Sequence, residues 1–177
     1  MEKKLSSRVS AIMLAFGLLI AGCNNGVEKS ANDSSGTETK NEKTMEQDKL
    51  IAFGEKYAEA WCSQKPATVA SFFSSTGSLS VNTNPPAVGR EAIAKVAEGF
   101  MTAFPDMIVS MDSLVTQQNG TAFHWTLTGT NTGPSGTGNK VKVSGIELWQ
   151  FDTDGLIRES KGSFDSEEYN RQLGVKK

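Results

Sequence analysis

From Met45 onward apolar residues recur at helical spacing, with Leu50, Phe53, Tyr57 and Trp61 on one face of a predicted helix. Pro66 suits a first helical position, where its missing N–H would be unpaired anyway, so a second short helix is expected with Val69, Phe72 and Phe73 on its apolar side. A third begins near Gly89, Arg90 and Glu91, and Ile93, Val96, Ala97, Phe100 and Phe104 trace its stripe until Pro105 stops it. Beyond Pro105 the period falls to two. Met107, Val109 and Met111 alternate with Ile108, Ser110 and Asp112, and Leu114 and Val115 prolong the strand. Phe123, Trp125 and Leu127 alternate with His124, Thr126 and Thr128 in the next, whose expected partner is Val141 to Phe151. Glycines and Pro134 between 129 and 138 make a loose connection, 152–155 a tighter one before Leu156 to Asp165, and a short acidic helix near 167–173 ends the chain. Helices first and antiparallel strands later argue for an α+β domain, a curved sheet with helices on one face.

The amino end has a different pattern. Lys3, Lys4 and Arg8 precede an unbroken apolar or glycine run from Ala11 to Ala21, too short for the ~20 residues a helical span needs, so residues 1–22 read as a cleaved signal peptide. Ile20, Ala21, Gly22 and Cys23 resemble the lipobox of bacterial lipoproteins, which implies that Cys23 is lipidated and that the mature chain is anchored to membrane lipid outside the cytoplasm. Residues 23–45 then read as a disordered tether of roughly 25 Å reach, with too little apolar surface to fold, and 46–177 as the folded domain.

Composition narrows the chemistry. The 177 residues carry 18 basic and 20 acidic side chains, one domain's worth of chain without the basic excess a nucleic-acid binder needs. The single histidine argues against a histidine-rich metal site, and no cofactor fingerprint occurs. Lipidation of Cys23 leaves Cys62 as the only thiol, unable to form an internal disulfide and expected to be buried in its helix.

Gly89-Arg90-Glu91, Phe104-Pro105-Asp106, Thr128-Gly129-Thr130 with Gly133, and Gln172-Leu173-Gly174 occur in the order and spacing of the SnoaL-like (polyketide cyclase-like) group, and the similarity covers roughly residues 46–175. The resemblance implies the cone-shaped fold of the nuclear transport factor 2-like (NTF2-like, cystatin-like) superfamily, a bent antiparallel sheet wrapped around three helices and a pocket. That superfamily contains cyclases, isomerase-like enzymes and binding domains, so the fold does not choose among them. In cyclase-like members an aspartate on the last strand moves a proton next to a carbonyl, and Asp165 stands at that place. A carboxylate in an apolar pocket has its pKa raised toward neutrality; the alternative is that Asp165 caps the terminal helix. The cyclase-like pattern commonly has tryptophan where Lys161 stands and histidine where Asn131 stands.

On the last strand Ile157, Glu159, Lys161, Ser163 and Asp165 are expected to share a face, with Glu159 and Lys161 close enough to pair. His124 is either a second polar contact near Asp165 or a partly exposed strand residue. Tyr57 and Trp61 are expected at a pocket mouth, with Trp149 and Lys161 as further contacts to a ligand. The first reading is a lipid-anchored protein that binds a small apolar or amphipathic molecule. The second is an acid/base enzyme in which Asp165 transfers the proton while His124 or Tyr57 stabilises the enolate oxygen. The third is a dimerisation or partner-docking module with Trp149 as interface anchor.

Overall fold

The computed structural model describes residues 35–175, with side chains described from Glu46. The signal segment, Cys23 and the tether as far as residue 34 lie outside the described residues. Helix α1 spans Ser35–Cys62 and so takes in residues 35–45, which the sequence reading assigned to the tether. Glu38, Lys40, Glu42, Lys43 and Met45 in this stretch have unbranched side chains with high helix propensity, so an aromatic half that is already helical extends through them despite three threonines and Gly36. Among the described residues no helix is long and apolar enough to cross a membrane.

Helix α2, Pro66–Ala70, is shorter than expected, and Phe73 opens strand β1, Phe73–Val81. Strand β2 is Ala87–Val88, helix α3 Arg90–Ala103, and strands β3 to β6 are Ile108–Gln117, Gly120–Thr130, Lys140–Phe151 and Ile157–Phe164. Helix α4, Ser166–Leu173, follows. The six strands form one curved, unclosed sheet in the order β2-β1-β6-β5-β4-β3. All neighbours are antiparallel except β1 and β6, which run parallel through the long crossover between them.

The sequence motifs that carry the family resemblance turn out to be joints of this scaffold. Arg90 Nε donates to Phe73 O at 2.8 Å, tying the start of α3 to β1. Asp106 accepts from the backbone N–H and the hydroxyl of Thr130, each at 2.6 Å, so the end of α3 is fixed to the end of β4. Gln172 pairs with the Lys142 backbone like a short piece of strand, accepting from its N–H at 2.7 Å and donating to its carbonyl at 2.9 Å, which pins α4 to β5. Asn131 donates to Ala103 O at 3.1 Å and accepts from Thr137 N at 2.8 Å, bracing the β4–β5 connection.

The core lies between the helices and the concave face of the sheet. From α1 come Tyr57, Ala60 and Trp61, from α3 Ile93, Ala97 and Met101, and from the sheet Phe73, Leu79, Phe123, Leu127 and Trp149, all buried. Cys62 is half-buried at the end of α1; its sulfur accepts from Val109 N at 3.1 Å and its thiol donates to Val109 O at 3.4 Å, locking the helix to β3.

Candidate functional site

Along β5, Val141, Val143, Glu147 and Trp149 share the buried parity, so one carboxyl group sits on an otherwise apolar face of the sheet. Burial of a carboxyl is unfavourable without donors. Three converge on Glu147 Oε2: the Tyr57 hydroxyl at 3.0 Å, Trp149 Nε1 at 3.0 Å and the Ser160 hydroxyl at 2.6 Å. They arrive from α1, β5 itself and the neighbouring β6, and Tyr57, Trp149 and Ser160 are themselves fully buried. Oε1 has no partner among the described residues. Desolvation raises the Glu147 pKa above the ordinary carboxyl value, only partly offset by the hydrogen bonds from Ser160, Trp149 and Tyr57. The Tyr57 phenol is pushed well above its own ordinary value by burial and then by the charge of Glu147, so it remains a donor.

Glu147 borders a hollow of ≈ 50 Å³ whose walls are Trp61, Phe100, Phe123, Trp125 and Phe164 together with Leu79, Val81, Val109, Leu127 and Gly162. Leu79, Val81, Phe100 and Phe164 also border an outer chamber of ≈ 360 Å³, rimmed by Asn82, Thr83, Asn84, Tyr169 and Asn170. An apolar inner space therefore opens toward a neutral polar vestibule. The outer chamber alone falls in the ~300–1,000 Å³ range of small-molecule sites. Phe123 stacks on Trp149 at 4.6 Å, which holds both rings against the sheet beside Glu147.

The expected site residues are distributed differently. Trp61 borders the hollow, while Tyr57 lies deeper and acts through Glu147 rather than standing at a mouth. Trp149 is fully buried, so it is neither an exposed anchor nor a wall of the hollow; its indole orients Glu147. Lys161 is exposed and pairs with Glu159 at 3.1 Å, as the spacing suggested. His124 lies between Ser113 and Ile146 on the sheet face opposite Phe123 and Trp125, away from the hollow. Asp165 is exposed and caps α4, accepting from the N–H groups of Glu167 and Glu168 at 2.9 Å each. Of the two roles open to it, the structure displays the cap.

A bulge explains the displacement of Asp165 and Lys161. Between Gln150 and Phe151 the β5–β6 register steps from Glu159 to Ile157, placing two residues of β6 against one of β5. Ile157 is buried, but beyond the bulge the inward positions are Ser160, Gly162 and Phe164 rather than the odd-numbered residues. Counting by twos from Ile157 therefore selects the wrong face. Glu147 was overlooked in the sequence, although one signal existed: it is the only charge sharing parity with Val141, Val143 and Trp149.

Among the described residues no cluster of three histidine, cysteine, aspartate or glutamate side chains could hold a metal ion. The arrangement can bury an apolar molecule against aromatic walls, and its one carboxyl can exchange a proton with such a molecule through Oε1.

The architecture recurs in solved structures. A protein of ketosteroid isomerase-like fold from Catenulispora acidiphila, in complex with trimethylamine, superposes with a TM-score of 0.60 at 15% identity, covering 68% of this chain and 91% of that one. TsrD from Streptomyces laurentii gives 0.61 at 19% identity, covering 72% and 96%. A phenazine biosynthesis-related protein, PhzB2 from Pseudomonas aeruginosa, gives 0.57 at 15%, covering 73% and 92%. At these identities the likeness concerns the fold. No curated protein matches the sequence. The family model of the SnoaL-like polyketide cyclases matches residues 52–173, from the middle of α1 to the last residue of α4, and with that span the chain belongs to the SnoaL-like family.

Proposed function

We propose that this SnoaL-like domain is a lipid-anchored receptor that binds a compact, mainly apolar molecule in the outer chamber with its tip in the hollow beside Glu147. The observation that carries the reading is the lining itself, five aromatic rings and a single carboxyl, opening through a neutral vestibule. Such walls stabilise a ligand by area removed from water, about 25 cal/mol per Å². Titrating the full chain with indane, indole and naphthalene while following tryptophan fluorescence tests it. Saturable binding is expected, lost in Val81→Phe, which adds bulk where the two chambers meet. Absence of saturable binding by all three compounds sinks the reading.

The anchor in this proposal is Cys23, whose thiol would displace the phosphate headgroup of a membrane phospholipid, losing its proton and keeping the diacylglyceryl group as a thioether, before cleavage of residues 1–22. The protein would then sit on the extracytoplasmic side of a bacterial membrane. Wild-type chain is expected in the membrane fraction and Cys23→Ser in the soluble fraction; equal membrane content in both would overturn the anchor.

A second reading is supported by the raised pKa and unpartnered Oε1 of Glu147. Glu147 carboxylate would take a proton from the carbon next to a ligand carbonyl and return it, leaving the carboxylate regenerated. Deuterium uptake at the α-carbon of 1-indanone in D₂O, above the buffer rate in wild type and absent in Glu147→Gln, is the expected result. Equal uptake in the two proteins removes Glu147 as the base.

A further inference from the structure

We infer that the hollow takes a tertiary ammonium group at the tip of its ligand, with the one N–H donated to Glu147 Oε1 and the N-methyl groups held against the aromatic walls. The inference rests on the binding reading above and names the class of molecule bound. Glu147 Oε2 already accepts from Tyr57, Trp149 and Ser160, whereas Oε1 has no partner among the described residues. Trp125 Nε1 is the only fully buried side-chain polar atom among those residues that lacks a partner, so Oε1 keeps some accessible surface. Glu147 as a whole is only 7% exposed and borders the hollow, which is therefore where that surface opens.

What can meet this oxygen is set by its surroundings. Glu147 carries the only acceptor among the side chains that line the hollow, and no lysine or arginine borders either chamber. A carboxylate held away from water attracts a cation more strongly than one in solvent, and folding has already desolvated this one. Desolvation of the ligand is offset by the rings, because an ammonium group over an aromatic face is attracted by the ring quadrupole. The rings of Trp61 and Phe100 stand at 84° and those of Trp125 and Phe164 at 67°, so the walls meet a guest from several directions, as in a cage. Burial raises the Glu147 pKa, and a cation at Oε1 counters that effect by favouring the charged form. The number of donors then chooses the kind of ammonium. A primary ammonium brings three N–H groups to one free acceptor and leaves two unpaired in an apolar space, while a quaternary one brings none. A tertiary ammonium brings one.

The test uses N,N-dimethylbenzylamine, protonated at neutral pH, and isobutylbenzene, which has the same shape with C–H in place of N–H⁺. Benzylamine and benzyltrimethylammonium vary the number of donors. For the wild-type full chain the Kd of N,N-dimethylbenzylamine is expected to be about tenfold lower than that of isobutylbenzene, and lower than those of the other two cations. Glu147→Gln keeps an oxygen for the three donors and removes the charge, so the advantage over isobutylbenzene should disappear. Independently of any variant, the Glu147 pKa, followed through its Cδ resonance in ¹³C-labelled wild type, should fall on saturation with N,N-dimethylbenzylamine and not with isobutylbenzene. Equal wild-type affinities for these two, an advantage that survives Glu147→Gln, or a pKa that does not fall would overturn the ammonium reading while leaving the hollow as a binding site. Tighter binding of benzylamine or benzyltrimethylammonium would overturn the tertiary group. Failure of all four compounds to bind would overturn both readings together.

Discussion

Tyr57 on α1 and Glu147 on β5, 90 residues apart, share a 3.0 Å hydrogen bond that joins the first helix to the middle of the sheet. The Tyr57 ring also meets Trp61, Phe72, Phe73, Phe123 and Trp149, so Tyr57→Phe preserves the packing and deletes one donor. A loss of about 1–2 kcal/mol is expected in urea unfolding. The Glu147 pKa should rise further, because its charged form loses a bond. An unchanged unfolding midpoint would show that the bond contributes nothing net.

The pH dependence of stability should carry the mark of Glu147. Burial raises its folded-state pKa above the ordinary 4.5, so the folded protein holds this proton more tightly than the unfolded chain. The resulting stabilisation is fully present below pH 4.5 and is lost as pH rises through the raised value. Glu147→Gln removes the titration. Melting temperatures of both proteins between pH 4.5 and 8 should show wild type losing ground to the variant as pH increases; a gap moving the other way would mean the pKa is depressed.

Asp165→Ala should cost about 1 kcal/mol, as loss of a helix N-cap does. Asp165 itself borders neither chamber, although its neighbours Phe164 and Ser166 do, so affinity for 1-indanone should change little as long as α4 stays folded. A large loss of affinity with stability intact would return Asp165 to the site.

Gly145 and Gly99 form a matched pair. A Cβ at Gly145 would stand 2.7 Å from Ser163 O as well as against the Trp125 ring, so Gly145→Ala should destabilise by about 1–3 kcal/mol and shift tryptophan emission. Gly99 lies exposed within α3 with nothing inside 4 Å of its Cβ position, and Gly99→Ala should stabilise by about 0.5–1 kcal/mol. Equal effects would show that the close approach at Gly145 is not a constraint.

Much of the architecture could be read from spacing alone. The 3.6-residue recurrence of Phe53, Tyr57 and Trp61, the stop at Pro105 and the alternation through Phe123, Trp125 and Leu127 each correspond to an element in the structure. These are local signals: which face a residue occupies follows from its neighbours a few positions away. The short family motifs were legible for the same reason, and Arg90, Asp106 and Gln172 prove to be scaffold joints rather than pocket chemistry.

Tertiary structure alone decided the site. A single bulge in β6 reversed the parity that grouped Glu159, Lys161 and Asp165 on one face with Ile157, and a strand slip of that kind depends on pairing with β5 rather than on the sequence of β6 itself. Glu147 became the polar centre only because Tyr57, Trp149 and Ser160 arrive at one oxygen from two strands and a helix. Likewise, whether an indole N–H finds an acceptor is settled by every chain segment around it. Periodicity assigns a side chain to a face; only the folded packing determines what meets it there.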